Sequence, residues 1–137
     1  MDAKADETYR LFLVEDSAAI REALVSSLES SGLIHVIGHA ESAAEAWDAM
    51  VGLPVDAVIV DLHLRGDNGF DLLWRLQKRP DSDALTKIVL TNYATPAFRQ
   101  RCLLLGAHYF FDKSLEFDRV IEVLEAAATA KAGRRDH

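Results

Sequence analysis

Val58-Ile59-Val60-Asp61-Leu62 is the stretch that decides the fold. From Ala57 to Val60 it is apolar without polar alternation, as a strand buried on both faces must be. It then breaks off at a carboxylate. Working outward, the same kind of run recurs at Leu11-Phe12-Leu13-Val14, ahead of Glu15-Asp16, and at Ile88-Val89-Leu90, ahead of Thr91. Two more runs, Leu33 to Ile37 and Tyr109-Phe110-Phe111, lead into Gly38-His39 and Asp112-Lys113.

Helical patterns fill the gaps. Ile20, Leu24 and Leu28 recur every four residues. Ser42 and Glu45 have capping-box spacing at the start of a second helix. Phe70, Leu73, Leu76 and Gln77 mark a third that Pro80 closes, and Thr95-Pro96 reads as the N-cap and first turn of a fourth. Phe98, Cys102 and Leu105 give that helix an apolar stripe, as Phe117, Val120, Ile121, Leu124 and Ala128 do for a fifth. Strand and helix thus alternate throughout. This predicts an α/β fold, a parallel sheet with right-handed crossovers and helices on both faces.

The length of 137 residues suits one domain and one core. We expect it over 9–131, with short flexible termini at 1–8 and 132–137. No apolar run approaches bilayer length, so no membrane insertion is expected, and Met1 to Arg10 lacks an apolar signal core. A lone cysteine, Cys102, suits a reducing cytoplasm. The net charge of −7 argues against direct nucleic-acid binding.

Ligands of open α/β sheets bind at the carboxyl ends of the strands. There this chain carries Glu15-Asp16, Asp61, Thr91 and Lys113. Two like charges about 4 Å apart repel by roughly 4 kcal/mol at an effective dielectric near 20. A hard divalent cation, Mg²⁺ or Mn²⁺, would relieve such a cluster, and Mg²⁺ suits one or two carboxylates plus waters and a phosphate. A carboxylate can then act as nucleophile toward phosphorus, with an ammonium and a hydroxyl on the phosphoryl oxygens.

These residues, in this order, resemble the response-regulator receiver domain of two-component signalling. The resemblance runs from about Tyr9 to Ala130. It rests on Glu15-Asp16, Val58 to Leu62, Asp61…Gly69, Val89-Leu90-Thr91 and Gly106-Ala107…Lys113. It implies a flavodoxin-like (βα)5 fold with strand order 2-1-3-4-5. Asp61 becomes the phosphoacceptor. Glu15, Asp16, Asp61 and the His63 backbone carbonyl become the metal ligands. Thr91 is the switch hydroxyl, Lys113 the lysine that pairs with Asp61 or its phosphate, and Phe110 the switch aromatic. The donor would be a sensor histidine kinase or a histidine phosphotransfer protein. The output would be protein contact through the face formed by the fourth helix, fifth strand and fifth helix, by a monomer or a phosphorylation-dependent dimer. The switch would catalyse its own phosphorylation and dephosphorylation without being a turnover enzyme. Side chains at the His63 and Tyr93 positions tend to tune the phosphoryl lifetime in that family. Arg65, Asn92 and Ser114 depart from its usual proline, small residue and proline. The Met1 start favours a stand-alone regulator over a piece of a longer one.

Each residue alone has a plainer reading. Asp61 could be a strand end or helix cap, Glu15-Asp16 an acid pair at a helix N-terminus, Lys113 a surface lysine, Thr91 an ordinary strand residue. Gly66 and Gly69 read as loop shapers, since no Walker-type Gly-Lys-Ser/Thr is present. Trp47 and Trp74 read as helix-to-sheet packing, with exposure of Trp74 near the active edge as the alternative. His35 and His39 do not read as a metal pair, and Arg134-Arg135 reads as solvated tail. Two other functions compete. A small Mg-dependent phosphatase of the haloacid-dehalogenase type also uses an aspartate nucleophile, but it needs a second Asp where this chain has His63. A phosphorylation-independent receiver-like binding module would not need the full reactive set. A calcium loop from Asp61 to Leu72 fails because Arg65 and Leu72 replace oxygen ligands.

Overall fold

Five β-α units leave each strand to be covered from both sides, and the computed structural model, which describes residues 8–135, does this with one sheet and two helical layers. Strands β1 (Tyr9–Val14), β2 (Ile34–Ala40), β3 (Ala57–Val60), β4 (Thr86–Thr91) and β5 (Tyr109–Asp112) alternate with helices α1 (Ala18–Glu29), α2 (Ala43–Met50), α3 (Gly69–Gln77), α4 (Pro96–Leu104) and α5 (Phe117–Arg135). All strand pairs are parallel, in the order β2-β1-β3-β4-β5. This is the flavodoxin-like order that the resemblance implied. No described helix is long and apolar enough to cross a membrane.

Side-chain alternation sorts the apolar runs onto two faces. Leu11, Leu13, Ala57, Ile59, Ile88, Leu90 and Phe111 meet Leu24 and Leu28 of α1 and Val120, Leu124 and Ala128 of α5. On the other face Phe12, Val14, Val58 and Val60 meet Ala43, Ala46 and Met50 of α2 and Leu72 and Leu76 of α3. Leu62, Val89 and Phe110 meet Phe70 and Leu73 of α3 and Cys102 of α4. Phe12 needs room against β2: a Cβ at Gly38 would lie 2.8 Å from its ring.

Strand β4 begins earlier than its apolar run, because Lys87 occupies a core position at 2% exposure. Its ammonium leaves the sheet to donate to the Ser82 carbonyl at 2.8 Å, and burial lowers its pKa. Helix α5 also runs past the expected domain end at 131, to Arg135. An anchor absent from the pattern reading ties this helix down: Lys131 Nζ donates to Asp56 Oδ2 at 2.8 Å and to the Thr8 carbonyl at 2.9 Å. Asp56 also accepts from the Arg10 backbone N–H at 2.7 Å. Residues 1–7 and 136–137, and the flexibility expected of them, lie outside the described residues.

Trp47 packs half-buried against the α2–α3 core. Trp74 does not pack on the sheet. The inward positions of α3 are taken by Phe70, Leu72, Leu73 and Leu76, which leaves Trp74 51% exposed.

Candidate functional site

Neighbouring parallel strands end side by side. Val14 pairs with Val60 in register, and the Asp61 N–H donates to the Val14 carbonyl at 3.0 Å. The residues that follow, Glu15-Asp16 and Asp61, therefore meet: one carboxylate oxygen from each lies within 4.8 Å of the others. Glu15 and Asp61 are buried, and Asp16 is half-buried. Lys113 follows β5, two strands away from β3, and only a long side chain can cross β4. Its Nζ donates to Asp61 Oδ2 at 2.8 Å and to Glu15 Oε1 at 2.6 Å.

Burial alone would lower the Lys113 pKa, but the hydrogen bonds from its ammonium to Asp61 and Glu15 outweigh it and hold the group charged. Burial pushes the Glu15 carboxyl up; the Lys113 and Ser17 hydrogen bonds pull it back only in part. Asp16 makes no hydrogen bond or ion pair among the described residues, so its oxygens remain open. Three carboxylates facing one ammonium leave an excess of negative charge in a site of hard oxygen donors, which fits a hard divalent cation.

The loop after β3 is fixed from several sides. Gly69 opens α3 directly against the backbone of Asp61: a Cβ there would overlap the Asp61 carbonyl oxygen and lie 2.8 Å from Val60 Cγ1. Gly66 has a φ of +79°, in the left-handed region that favours glycine. Both act as the loop shapers expected of them. Asn68 caps α3, accepting from the Asp71 N–H at 3.1 Å. Asp67 caps a different helix, accepting from the N–H groups of Ala43 at 2.8 Å and Ala44 at 3.1 Å at the start of α2. Arg65 donates its N–H to the Glu41 carbonyl at 3.1 Å, a bond that the proline usual in the resembling family could not make. Arg21 reaches back from α1 to the Glu15 carbonyl at 2.9 Å and to Glu41 at 3.5 Å. Sequence reasoning missed Arg21, Glu41 and Asp67. The contacts of Glu41 and Asp67 reach far along the chain, and only an Asp beside Asn68-Gly69 hinted at capping.

The remaining expected residues are near by but not all engaged. Thr91 is fully buried at the end of β4; its Oγ1 accepts from the Tyr93 N–H at 3.1 Å, and no described hydrogen bond joins it to Asp61. Its carbonyl accepts the Lys113 N–H at 2.8 Å, tying the two strand ends together. The His63 N–H donates to Asp61 Oδ1 at 3.4 Å. The His63 ring is exposed and lies on the Tyr93 ring, centroids 3.9 Å apart. Phe110 is buried against Leu62, Cys102 and Ala107. Ser114 needs no special peptide: every described peptide bond is trans. A larger cavity, about 610 Å³, opens at the opposite edge of the sheet beside Tyr9, Asp56, Thr86 and Lys131. Asp56 and Lys131 already satisfy each other there.

Comparison with known proteins agrees with this fold. A family model described as the response regulator receiver domain matches residues 11–125. The chain is 30% identical over 122 residues to the uncharacterized transcriptional regulatory protein YvfU of Bacillus subtilis, covering 89% of this chain and 60% of that protein. It is likewise 30% identical over 132 residues to the transcriptional regulatory protein FixJ of Azorhizobium caulinodans, covering 95% and 61%. The chain thus spans about six-tenths of the length of these curated relatives. Among solved structures, a CheY-like receiver domain protein from Methanospirillum hungatei superposes with a TM-score of 0.78 at 23% identity, over 93% of this chain and 98% of that one. A LuxR-family two-component response regulator from Aurantimonas gives a TM-score of 0.80 at 24% identity, over 90% and 86%. With a family match over most of its length, on a sheet of the same order, this chain belongs to the response regulator receiver domain family of two-component signalling.

Proposed function

We propose that Asp61 is the phosphoacceptor of a signalling switch, loaded from a phosphohistidine of a sensor histidine kinase or histidine phosphotransfer protein. A carboxylate oxygen of Asp61 attacks phosphorus in line. The P–O bond forms as the P–N bond breaks, and the donor imidazole leaves and takes up a proton. Glu15, Asp16, Asp61 and the His63 carbonyl would hold Mg²⁺ or Mn²⁺, which when bound neutralises phosphoryl oxygens. Lys113 holds Asp61 before transfer and pairs with a phosphoryl oxygen afterwards. Thr91 donates its hydroxyl proton to another oxygen, and Phe110 follows into the space left behind.

The observation that carries this reading is the buried Asp61 carboxylate bonded to Lys113 inside a three-carboxylate cluster. Phosphorylation adds about −1.5 to −2 charge beside Lys113 and shifts an existing inactive–active equilibrium. Because Phe110 packs in the cluster beneath α4, its movement repacks the α4–β5–α5 face, where Arg99, Leu103, Tyr109 and Arg119 line a groove of about 330 Å³. The output is protein contact in the cytoplasm. The phosphoryl group leaves by hydrolysis on the same chain, so no substrate is turned over.

The test is labelling with acetyl phosphate and Mg²⁺. One hydroxylamine-labile phosphoryl group per chain is expected, and none on Asp61→Asn. Full labelling of that variant removes the assignment. Steady release of inorganic phosphate from small phosphomonoesters would favour the phosphatase instead.

A further inference from the structure

The geometry points to a second interaction surface, the groove between α3 and α4, as the docking site for an acidic protein segment anchored by an apolar side chain. This surface lies on the flank of α4 away from β5, and its argument does not depend on phosphorylation.

The groove holds about 390 Å³ between Phe70, Asp71 and Trp74 of α3 and Arg101, Leu104 and Leu105 of α4 and its cap. Gln77 Nε2 donates to the Leu104 carbonyl at 3.4 Å and joins the two helices at one end. Trp74 and Leu104 are 51% and 74% exposed. Neither is required by the core, since Leu72, Leu73 and Leu76 cover the sheet from α3 and Cys102 does so from α4. Side chains of this size, adjacent and uncovered, mark contact surfaces more than monomer surfaces.

The charge around the groove selects the partner. The chain carries −7, yet α4 contains Arg99 and Arg101 and no acid. Among the described residues, Arg75, Lys78, Lys87, Arg99, Arg101 and Arg134 have no carboxylate within 4 Å. Of these, Lys78 and Arg101 flank the groove, while Arg75 lies over the Trp47 ring and Arg99 donates to the Phe110 carbonyl. In place of acids, two of these cations lie on the aromatic rings: Lys78 Nζ is 3.6 Å from the Trp74 ring centroid, and Arg101 Cζ is 3.9 Å from that of Phe70. A cation on a ring can still accept a carboxylate at its outer side. The surface thus offers an apolar slot with cations at its rim and one acid, Asp71. An amphipathic segment with leucines at i and i+4 and glutamates beside them complements it. A second copy of this acidic chain is the other possible occupant, and a test must separate the two.

The probe is a synthetic acidic peptide of that pattern, titrated into the unphosphorylated 137-residue chain and followed by backbone amide shifts and by fluorescence of Trp74 in a Trp47→Phe background. Saturable binding is expected, with shifts centred on Trp74, Arg101 and Leu104. Arg101→Glu and Lys78→Glu should each weaken it about tenfold or more, and a peptide with lysines for glutamates should not bind. Arg99→Glu and Leu103→Ser, on the other flank, should leave affinity unchanged. These are surface substitutions, and unchanged thermal melts show that the fold is intact. The proposal is overturned if no saturable binding occurs, if the charge reversals leave affinity intact, if the shifts map to the α4–β5–α5 face, or if Trp74→Ala instead dissolves a dimer seen by sedimentation.

Discussion

Among the described residues, Lys113 is the one ammonium facing two buried carboxylates, so its loss leaves uncompensated charge behind. Lys113→Met should lower stability in metal-free buffer by on the order of 3 kcal/mol, with much of the loss recovered on adding Mg²⁺; chemical denaturation with and without the ion checks this. Gly69 is a steric counterpart. A methyl group there meets Asp61 backbone that has no freedom to yield, so Gly69→Ala should cost about 1–3 kcal/mol and slow labelling of Asp61, whereas the same change at an exposed glycine such as Gly133 should do neither. The sequence made Asp61, Glu15, Asp16 and Lys113 legible, because parallel strands must deliver their end residues to one edge. The pairing was only half legible. Glu15, expected as a metal ligand, holds Lys113 with one oxygen and the Ser17 N–H with the other.

At the scale of elements, the contacts that fix helix ends come from distant parts of the chain, and pattern reading cannot see them. Local caps were readable: Ser42 accepts from the Glu45 N–H and Thr95 from the Phe98 N–H, as their spacing implied. The Asp67 cap on α2 spans 24 residues and was not. Asp67→Ala should cost about 1 kcal/mol and loosen the β3–α3 loop, seen as faster amide exchange at Ala43 and Ala44. The Asp56–Lys131 anchor spans 75 residues. Burial would raise the Asp56 pKa, but the hydrogen bonds from Arg10 and Lys131 outweigh it and hold it below the ordinary carboxylate value. A depressed carboxylate contributes stability that is present above its unfolded pKa and is lost as pH falls through its folded one. Asp56→Asn should therefore reduce stability at neutral pH by about 1–3 kcal/mol and flatten the acid limb of the stability curve below about pH 4. Equal acid limbs for the two proteins would contradict this. The predicted stripe of helix α4 was readable as well: Cys102 is buried in the core, and Phe98 and Leu105 pack half-buried against the same cluster.

For the whole molecule, doubly covered strands explain both the unbroken apolar runs and the strand order, and they leave the carboxyl edge as the place where charges can meet. Lys87 shows the limit of that reading, since a charged residue within a core strand is tolerated once its ammonium finds a carbonyl outside the sheet. A site with excess negative charge should also bind its cation in the folded state alone. Mg²⁺ at about a hundred times its dissociation constant would then add roughly 2.7 kcal/mol to stability, and Asp16→Asn should lose most of that gain. The central claim is tested most directly by chemical mapping of the acyl phosphate. The chain is treated with acetyl phosphate and Mg²⁺, reduced with borohydride and sequenced by mass spectrometry. The account predicts homoserine at position 61 alone, and only when Mg²⁺ was present. Homoserine at another aspartate, or unmodified Asp61 after Mg²⁺-dependent treatment, would contradict it.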